Sequence, residues 1–320
     1  MTKKLVVTDY NFPSLDHESR AAKTFDADFE THHATTTAEV VAALCGANVG
    51  LVQFAPVNSD AIAGMAEGAV LIRYGVGYDN IDTEAARAHG VKVAYVPDYC
   101  AAEVADHTVA MLLATLRKLA RLDATTRDGS WGPVQQAAPI LPFEETVIGF
   151  LGLGRIGLSV KRRLEPFGFR FLVSDPFLTD DVAREEGVEK VSLEDLAERS
   201  DALSLHAPLT ADTRHVVNAG FLARMRPGAV IVNSSRGELI DTVALAISLS
   251  ECKTAGAALD VFELEPLEAD HPLRSAPNLL ISPHAAWYST KSIDRLQRLA
   301  AEEALRALRE EQLRCPVSAT

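Results

Sequence analysis

Two groups of residues in this 320-residue chain are spaced for chemistry. The first is Gly152-Leu153-Gly154-Arg155-Ile156-Gly157, which follows an apolar run ending at Leu151 and precedes a helical stretch through Phe167. In that context Gly152 allows a tight turn, Gly154 lets backbone approach a pyrophosphate, and Gly157 lets the helix pack on the strand. The N–H groups of the first helical turn then face the anion. Asp175 stands 18 positions beyond Gly157, at the end of the next β-branched run. Its carboxylate can accept both ribose hydroxyls of NAD and would repel the 2′-phosphate of NADP, so NAD (NADH) is the expected cofactor, preferred over NADP.

The second group lies just after the later β-branched runs, where ligands bind in open α/β sheets. These segments are His206-Ala207-Pro208-Leu209-Thr210, Asn233-Ser234-Ser235-Arg236-Gly237, Asp260-Val261-Phe262-Glu263-Leu264-Glu265-Pro266 and Ser282-Pro283-His284-Ala285-Ala286-Trp287-Tyr288-Ser289. A cation, a carboxylate and an imidazole at neighbouring strand ends supply what oxidation of a 2-hydroxy acid requires. The cation anchors a carboxylate, the imidazole moves the hydroxyl proton, and the acid tunes the imidazole.

The elements that must position these residues alternate along the chain. Apolar runs at 5–8, 50–53, 70–73 and 91–95 read as strands, with helices at 37–44 and 60–65 between them. Residues 101–121 are Ala- and Leu-rich and free of Gly and Pro, which predicts one long helix bridging two domains. An irregular stretch from Asp128 to Pro142 follows, where Trp131 packs either against another subunit or within its own chain. Strands at 146–151, 170–173, 202–205, 229–232, 255–261 and 279–282 make a second series. An amphipathic helix over 292–314 closes the chain, with Ile293, Leu296, Leu299, Leu305 and Leu308 on one face. The expected fold is α/β: two doubly wound parallel-sheet domains, a Rossmann domain inserted into a flavodoxin-like one. The expected boundaries are 1–100 plus 290–320 for a substrate (lid) domain and 101–289 for the nucleotide domain.

Composition narrows the class. Lys plus Arg number 31 against 44 Asp plus Glu, a net charge of −13, and no local basic patch offsets it, so nucleic acid is not an expected partner. The four cysteines form no CxxC pair and no metal-ligand spacing, so no metal is expected and a reducing compartment is. No apolar stretch suits a signal peptide or a membrane span, and a cytoplasmic protein is expected.

With these motifs in view, the sequence resembles the D-isomer-specific 2-hydroxyacid dehydrogenases over nearly its whole length, from Arg73-Tyr74-Gly75-Val76-Gly77-Tyr78-Asp79-Asn80-Ile81-Asp82 to the His284 segment. The run His284-Ala285-Ala286-Trp287-Tyr288-Ser289 is most similar to the C-terminal-binding-protein branch, whose animal members are NAD(H)-binding corepressors. The resemblance implies that Arg236 holds the substrate carboxylate and polarises the carbonyl. It implies that His284 carries the proton and that Glu265, the acid directly before proline, pairs with His284 and favours its protonated form. Glu263 is the competing acid and reads as solvated. By the same resemblance Asp260 accepts from the nicotinamide amide, and Ser234 and Ser235 lie along the nicotinamide ribose. His206, Pro208 and Thr213 lie near the adenosine half. Thr108 either approaches the nicotinamide or packs between the domains.

On the substrate side, the resemblance implies that backbone N–H groups at Val76 and Gly77 meet the substrate carboxylate. Arg73 either adds charge there or faces solvent, and Trp287 either walls the pocket or only packs. The loops 9–13 and 53–58 contain aromatic residues and no Lys or Arg, so the expected partner is a small unphosphorylated 2-oxo or 2-hydroxy acid. A homodimer through the long helix and the Trp131 loop is expected from the family. The rival reading is an NAD(H)-sensing, corepressor-like interaction protein with vestigial activity; the chain ends soon after its final helix, without the long tail of those corepressors.

Overall fold

Every β-branched run named above ends up in one of two fully parallel sheets. The computed structural model describes residues 2–317; Met1 and residues 318–320, which the expected first domain includes, lie outside the described residues. The chain divides into two compact units, residues 1–100 with 288–320 and residues 101–287.

In the first unit, β1 (Lys4–Val7), β2 (Asp28–Thr31), β3 (Val49–Val52), β4 (Val70–Arg73) and β5 (Lys92–Tyr95) form a sheet of order β2-β1-β3-β4-β5. This is the flavodoxin-like order. The central strand β3 buries all four of its residues, as strands covered on both faces do. Edge strand β2 is different: its sequence Asp-Phe-Glu-Thr is mostly exposed and shows no apolar alternation. The helix Asp16–Phe25 before it gives the core only Glu18, Ala21 and Ala22.

The final helix is shorter than its sequence predicts, running from Thr290 to Leu308 behind a Ser289/Ser292 capping box. Glu310 takes a left-handed conformation, and the buried Glu303 carboxylate then accepts the amides of Arg314 at 2.7 Å and Cys315 at 3.4 Å. Residues 315–317 turn back onto β5, where Val317 N–H donates to Val93 O at 2.8 Å. A long-range carboxylate thus ends a pattern that local periodicity would continue.

Glu18 makes a second buried polar cluster in this unit. It accepts the Tyr74 hydroxyl at 2.9 Å and faces the Gln297 amide, 3.4 Å from one of its oxygens. Burial pushes its carboxyl above the ordinary value of 4.5, against the opposing pull of its own backbone hydrogen bond, Tyr74 and Gln297. A carboxyl raised in the folded state contributes full stability below its unfolded value and loses it as pH climbs through the folded one. Glu18→Gln keeps an acceptor for Tyr74 and removes the charge. Its melting temperature should exceed the wild type by a few degrees at about pH 8, with the gap closing towards about pH 4. Equal melting curves at both pH values would contradict this.

The second unit contains β6 (Val147–Leu151), β7 (Arg170–Ser174), β8 (Glu189–Lys190), β9 (Ala202–Leu205), β10 (Val230–Asn233), β11 (Gly256–Leu259) and β12 (Leu279–Ile281). Their order is β12-β11-β10-β9-β6-β7-β8, which reverses between β6 and β9 and so sets a topological switch point. Side chains alternate between two apolar clusters: Ile231 enters one, Val230 and Val232 the other.

The long predicted helix breaks. It spans Ala101–Leu116, Lys118 adopts φ 53°, and a new helix runs from Leu119 to Arg127. No Gly or Pro marks the break; Lys118 N–H turns back to Thr115 O at 3.0 Å, and the Arg117 guanidinium sits 5.9 Å over the Phe143 ring. Trp131 is 92% exposed, so it is not buried within its own chain. Pro133 opens a short helix, Pro133–Ala137, inside the stretch read as irregular. Among the described residues no helix is long and apolar enough to cross a membrane, no group of acidic, His and Cys side chains is set to hold a metal, and none of the four cysteines is in a disulfide.

Candidate active site

The carboxyl ends of the second sheet bring the expected residues to one edge. After β6, Gly152 turns at φ 84°, where a Cβ would lie 3.0 Å from the Ala207 nitrogen. A Cβ on Gly157 would come within 2.9 Å of Gly152 O and 3.3 Å of the His206 side chain. The glycine loop, the helix Arg155–Leu164 and the turn after β9 therefore pack at backbone contact. Gly154 has open space where its side chain would be, and no side chain caps the helix it begins. Helix first-turn N–H groups lack intrahelical partners, so this end suits a pyrophosphate. Arg155 is exposed, Ile156 half-buried.

Asp175 holds this loop from the end of β7. Its carboxylate accepts Leu153 N–H and Phe177 N–H, each at 2.8 Å. His206 stacks on Phe150 at 5.7 Å and pairs with Ser204 Oγ at 2.8 Å; burial pushes its imidazole down to about 3, so it is neutral. Its ring supports the glycine loop from behind. Thr213 closes the following turn by donating to Pro208 O at 2.7 Å.

Asp260, after β11, is fully buried. It accepts Ser282 Oγ at 2.5 Å and Ala285 N–H at 2.8 Å on one oxygen, and Ala286 N–H at 2.9 Å on the other. His107 Nε2 lies 3.1 Å from the same Ser282 hydroxyl. The segment after β12 is thereby wrapped around one carboxylate. It sets His284 at φ 51°, a conformation few residues other than Gly, Asn, Asp and His adopt. From there His284 Nδ1 meets Glu265 Oε2 at 2.7 Å, while Glu265 Oε1 accepts Phe262 N–H at 3.0 Å. Burial raises the Glu265 carboxyl, but the His284 hydrogen bond and charge, the Phe262 amide and the Arg236 charge outweigh it and hold it below 4.5.

Arg236 sits after β10 with its carbonyl held by Asn233 Nδ2 at 2.7 Å and its Nη1 donating to Ser235 O at 2.7 Å. Ser235 Oγ donates to Ala207 O at 2.9 Å. Thr108, buried on the helix Ala101–Leu116, donates to Val104 O at 2.7 Å and lies 2.5 Å from Ser234 Oγ, which makes Ser234 the donor between them. Its hydroxyl therefore works inside the second unit, aiming Ser234.

Several contributors carry no signal in the motifs. A Cβ on Gly237 would lie 1.9 Å from the Phe262 carbonyl carbon and 2.5 Å from Glu263 N, so the Arg236 turn and the Glu265 loop meet backbone to backbone there. Only the Arg-Gly pairing after a buried strand hints at it. Glu263 is half-buried rather than a freely solvated charge: it accepts Thr242 N–H at 3.1 Å, the Thr242 hydroxyl and His215 Nε2. Because these partners come from distant loops, local sequence could not show them.

Among the expected substrate contacts, Trp287 is half-buried at the end of the second unit, and Val76 and Gly77 are half-buried in the loop after β4 in the first. Arg73 neither faces open solvent nor extends. It donates to Tyr74 O at 2.6 Å, lies 6.0 Å over the Phe54 ring, and occupies the space a Cβ on Gly75 would need, 1.5 Å from its Nη1.

Comparison with known proteins agrees with this architecture. Residues 109–286 match the D-isomer specific 2-hydroxyacid dehydrogenase, NAD binding domain family model. A glyoxylate reductase of Korarchaeum cryptofilum is 37% identical over 78% of this chain and 76% of its own length. The crystal structure of D-lactate dehydrogenase from Aquifex aeolicus, complexed with NAD and lactic acid, superposes with a TM-score of 0.85 at 26% identity, covering 97% of this chain and 96% of that one. An acyclic imino acid reductase in complex with NADPH and D-Arg superposes at 0.84 with 25% identity, covering 98% of this chain and all of that one. The chain belongs to the D-isomer specific 2-hydroxyacid dehydrogenase family and is an oxidoreductase with a nicotinamide-nucleotide domain. These similarities give the family, not the C-terminal-binding-protein branch within it.

Proposed function

We propose that this enzyme reduces an unphosphorylated 2-oxo acid to the D-2-hydroxy acid, reversibly, with NADH preferred over NADPH. The observation that carries the reading is the 2.7 Å His284–Glu265 pair, with the Arg236 charge acting on it, at the carboxyl ends of the sheet whose strand β6 leads into Gly152, Gly154 and Gly157. When bound, the nicotinamide supplies the hydride that arrives at the substrate C2. Arg236 grips the substrate carboxylate with its planar fork and polarises the carbonyl oxygen. With Nδ1 engaged by Glu265, His284 delivers the proton to that oxygen from Nε2, which completes the hydroxyl. Asp260, which has a lone pair beyond its three bonds to the 282–286 segment, receives the carboxamide of the cofactor.

Residues 1–100 with 290–320 act as the substrate domain, where Val76 and Gly77 offer backbone N–H groups and Trp287, from the nucleotide domain 101–289, adds an apolar wall. The enzyme works as a cytoplasmic homodimer paired through the segment around the exposed Trp131, supported by its 92% exposure and by an apolar neighbour, Val134, at 71%. The test is NADH consumption with glyoxylate, pyruvate, 4-methylthio-2-oxobutyrate, phenylpyruvate and 3-phosphohydroxypyruvate. Turnover of an unphosphorylated member is expected. Strong preference for the phosphorylated one would contradict the substrate class, and NADH binding with no turnover would favour the NAD(H)-sensing reading.

Cofactor choice rests on Asp175. A carboxylate facing a 2′-phosphate costs several kcal/mol, so NADH should be favoured over NADPH in kcat/KM by about 100-fold or more. Asp175→Ser should bring the two within about tenfold, and should also weaken NADH, because the Leu153 amide loses its acceptor. An unchanged preference in the variant would show that Asp175 does not read the ribose.

A further inference from the structure

Glu263 is two residues from Glu265 and takes no part in the proton path above. Its carboxylate nevertheless joins three separate parts of the second unit. Oε2 accepts both the backbone amide of Thr242, at 3.1 Å, and the Thr242 hydroxyl, at the start of the helix Thr242–Ser250. Oε1 accepts His215 Nε2 from the loop before Val217. His271 Nε2 completes the group, 3.3 Å from the Thr242 hydroxyl. Burial raises the Glu263 carboxyl, but Thr242 and His215 together hold it below its ordinary 4.5.

The loop this cluster fastens is the one that delivers Glu265. Phe262 donates to Glu265 Oε1 at 3.0 Å, so the Glu265 carboxylate folds back over the 262–265 turn, and where it lies follows from where that turn lies. Besides Phe262, whose ring is buried in the apolar core, the turn is held by the face of Gly237, with no room for a Cβ, and by the Glu263 bonds. We infer that Glu263, with Thr242 and His215, is a clamp that positions Glu265 against His284, and that Glu263 is therefore a positioning residue for proton transfer. This rests on the function proposed above only for its kinetic consequence; the geometry it asserts exists without substrate.

The chemistry predicts a graded response. Glu263→Gln keeps an oxygen for Thr242 and can still hydrogen-bond His215, so it should stay within about threefold of wild-type kcat. Glu263→Ala releases the turn. A displacement on the order of an ångström costs up to about 100-fold, so kcat should fall by roughly 10–100-fold while KM for NADH holds within about twofold. As the Glu265 carboxyl loses its His284 contact it returns towards its ordinary value, so the acid limb of kcat/KM should move to higher pH.

The experiment pairs these kinetics with nitrogen NMR of histidine-labelled protein, the His284 signals being assigned from a His284→Asn sample. The His284 ring signals should shift in Glu263→Ala and return in Glu263→Gln. If Glu263→Ala does not fold, Thr242→Ala loosens the same clamp from the other side and should show the same signature more weakly. Unchanged His284 signals and pH profile in a folded Glu263→Ala or Thr242→Ala protein would overturn the clamp, as would a Gln variant no better than Ala. Should the wild type turn over no 2-oxo acid, the function fails on that result alone, and the ring signals still decide the clamp.

Discussion

His284→Asn should lower kcat for 2-oxo acid reduction by about 1,000-fold and leave NADH binding within about twofold of wild type. The size follows from removing the proton donor, and the choice of asparagine follows from the backbone. His284 stands at φ 51°, where asparagine is among the few side chains tolerated, so the loop wrapped on Asp260 should keep its shape. The dinucleotide contacts proposed at Gly152, Gly154, Gly157 and Asp175 lie after β6 and β7, so a fluorescence titration with NADH reports whether they survive. A loss of NADH affinity equal to the loss of kcat would mean that the substitution had collapsed the site. Retained turnover would mean that the proton comes from elsewhere.

Arg236→Lys should cost roughly 100- to 1,000-fold in kcat/KM for the 2-oxo acid, although the charge is kept. One edge of the guanidinium is spent on Ser235 O, which fixes its plane. An ammonium has no plane to fix, and it cannot hold a carboxylate at two points while polarising the carbonyl beside it. The loss should appear in both kcat and KM, because the proposed role has Arg236 serve the ground state through the carboxylate and the transition state through the carbonyl. A lysine enzyme within about threefold of wild type would remove Arg236 from the anchoring role.

Much of this arrangement is legible in the sequence alone. The Rossmann loop announces itself because each glycine answers a separate steric demand within six residues, and the acid expected to face the ribose follows one strand later. Arg236, Glu265 and His284 are readable because strand ends in parallel sheets are where chemistry gathers, and buried strands such as Val-Ile-Val-Asn of β10 stand out in the sequence. What escaped depends on contacts between distant segments. Glu263 looks like a solvated charge until His215 and Thr242 arrive from other loops. The helix 101–121 looks continuous until Lys118 turns, and the final helix looks six residues longer until Glu303 draws the chain back to β5. Strand β2 was invisible for another reason: an edge strand with mostly exposed side chains needs no apolar alternation.

The most direct test of the central claim is isotopic. Pyruvate or 4-methyl-2-oxopentanoate would be reduced with NADH carrying deuterium at the transferable C4 position, and the product examined by mass spectrometry and chiral chromatography. Direct hydride transfer from the nicotinamide C4 to the substrate C2 predicts a D-2-hydroxy acid carrying one deuterium at C2. Product without deuterium, or of the L configuration, would contradict it.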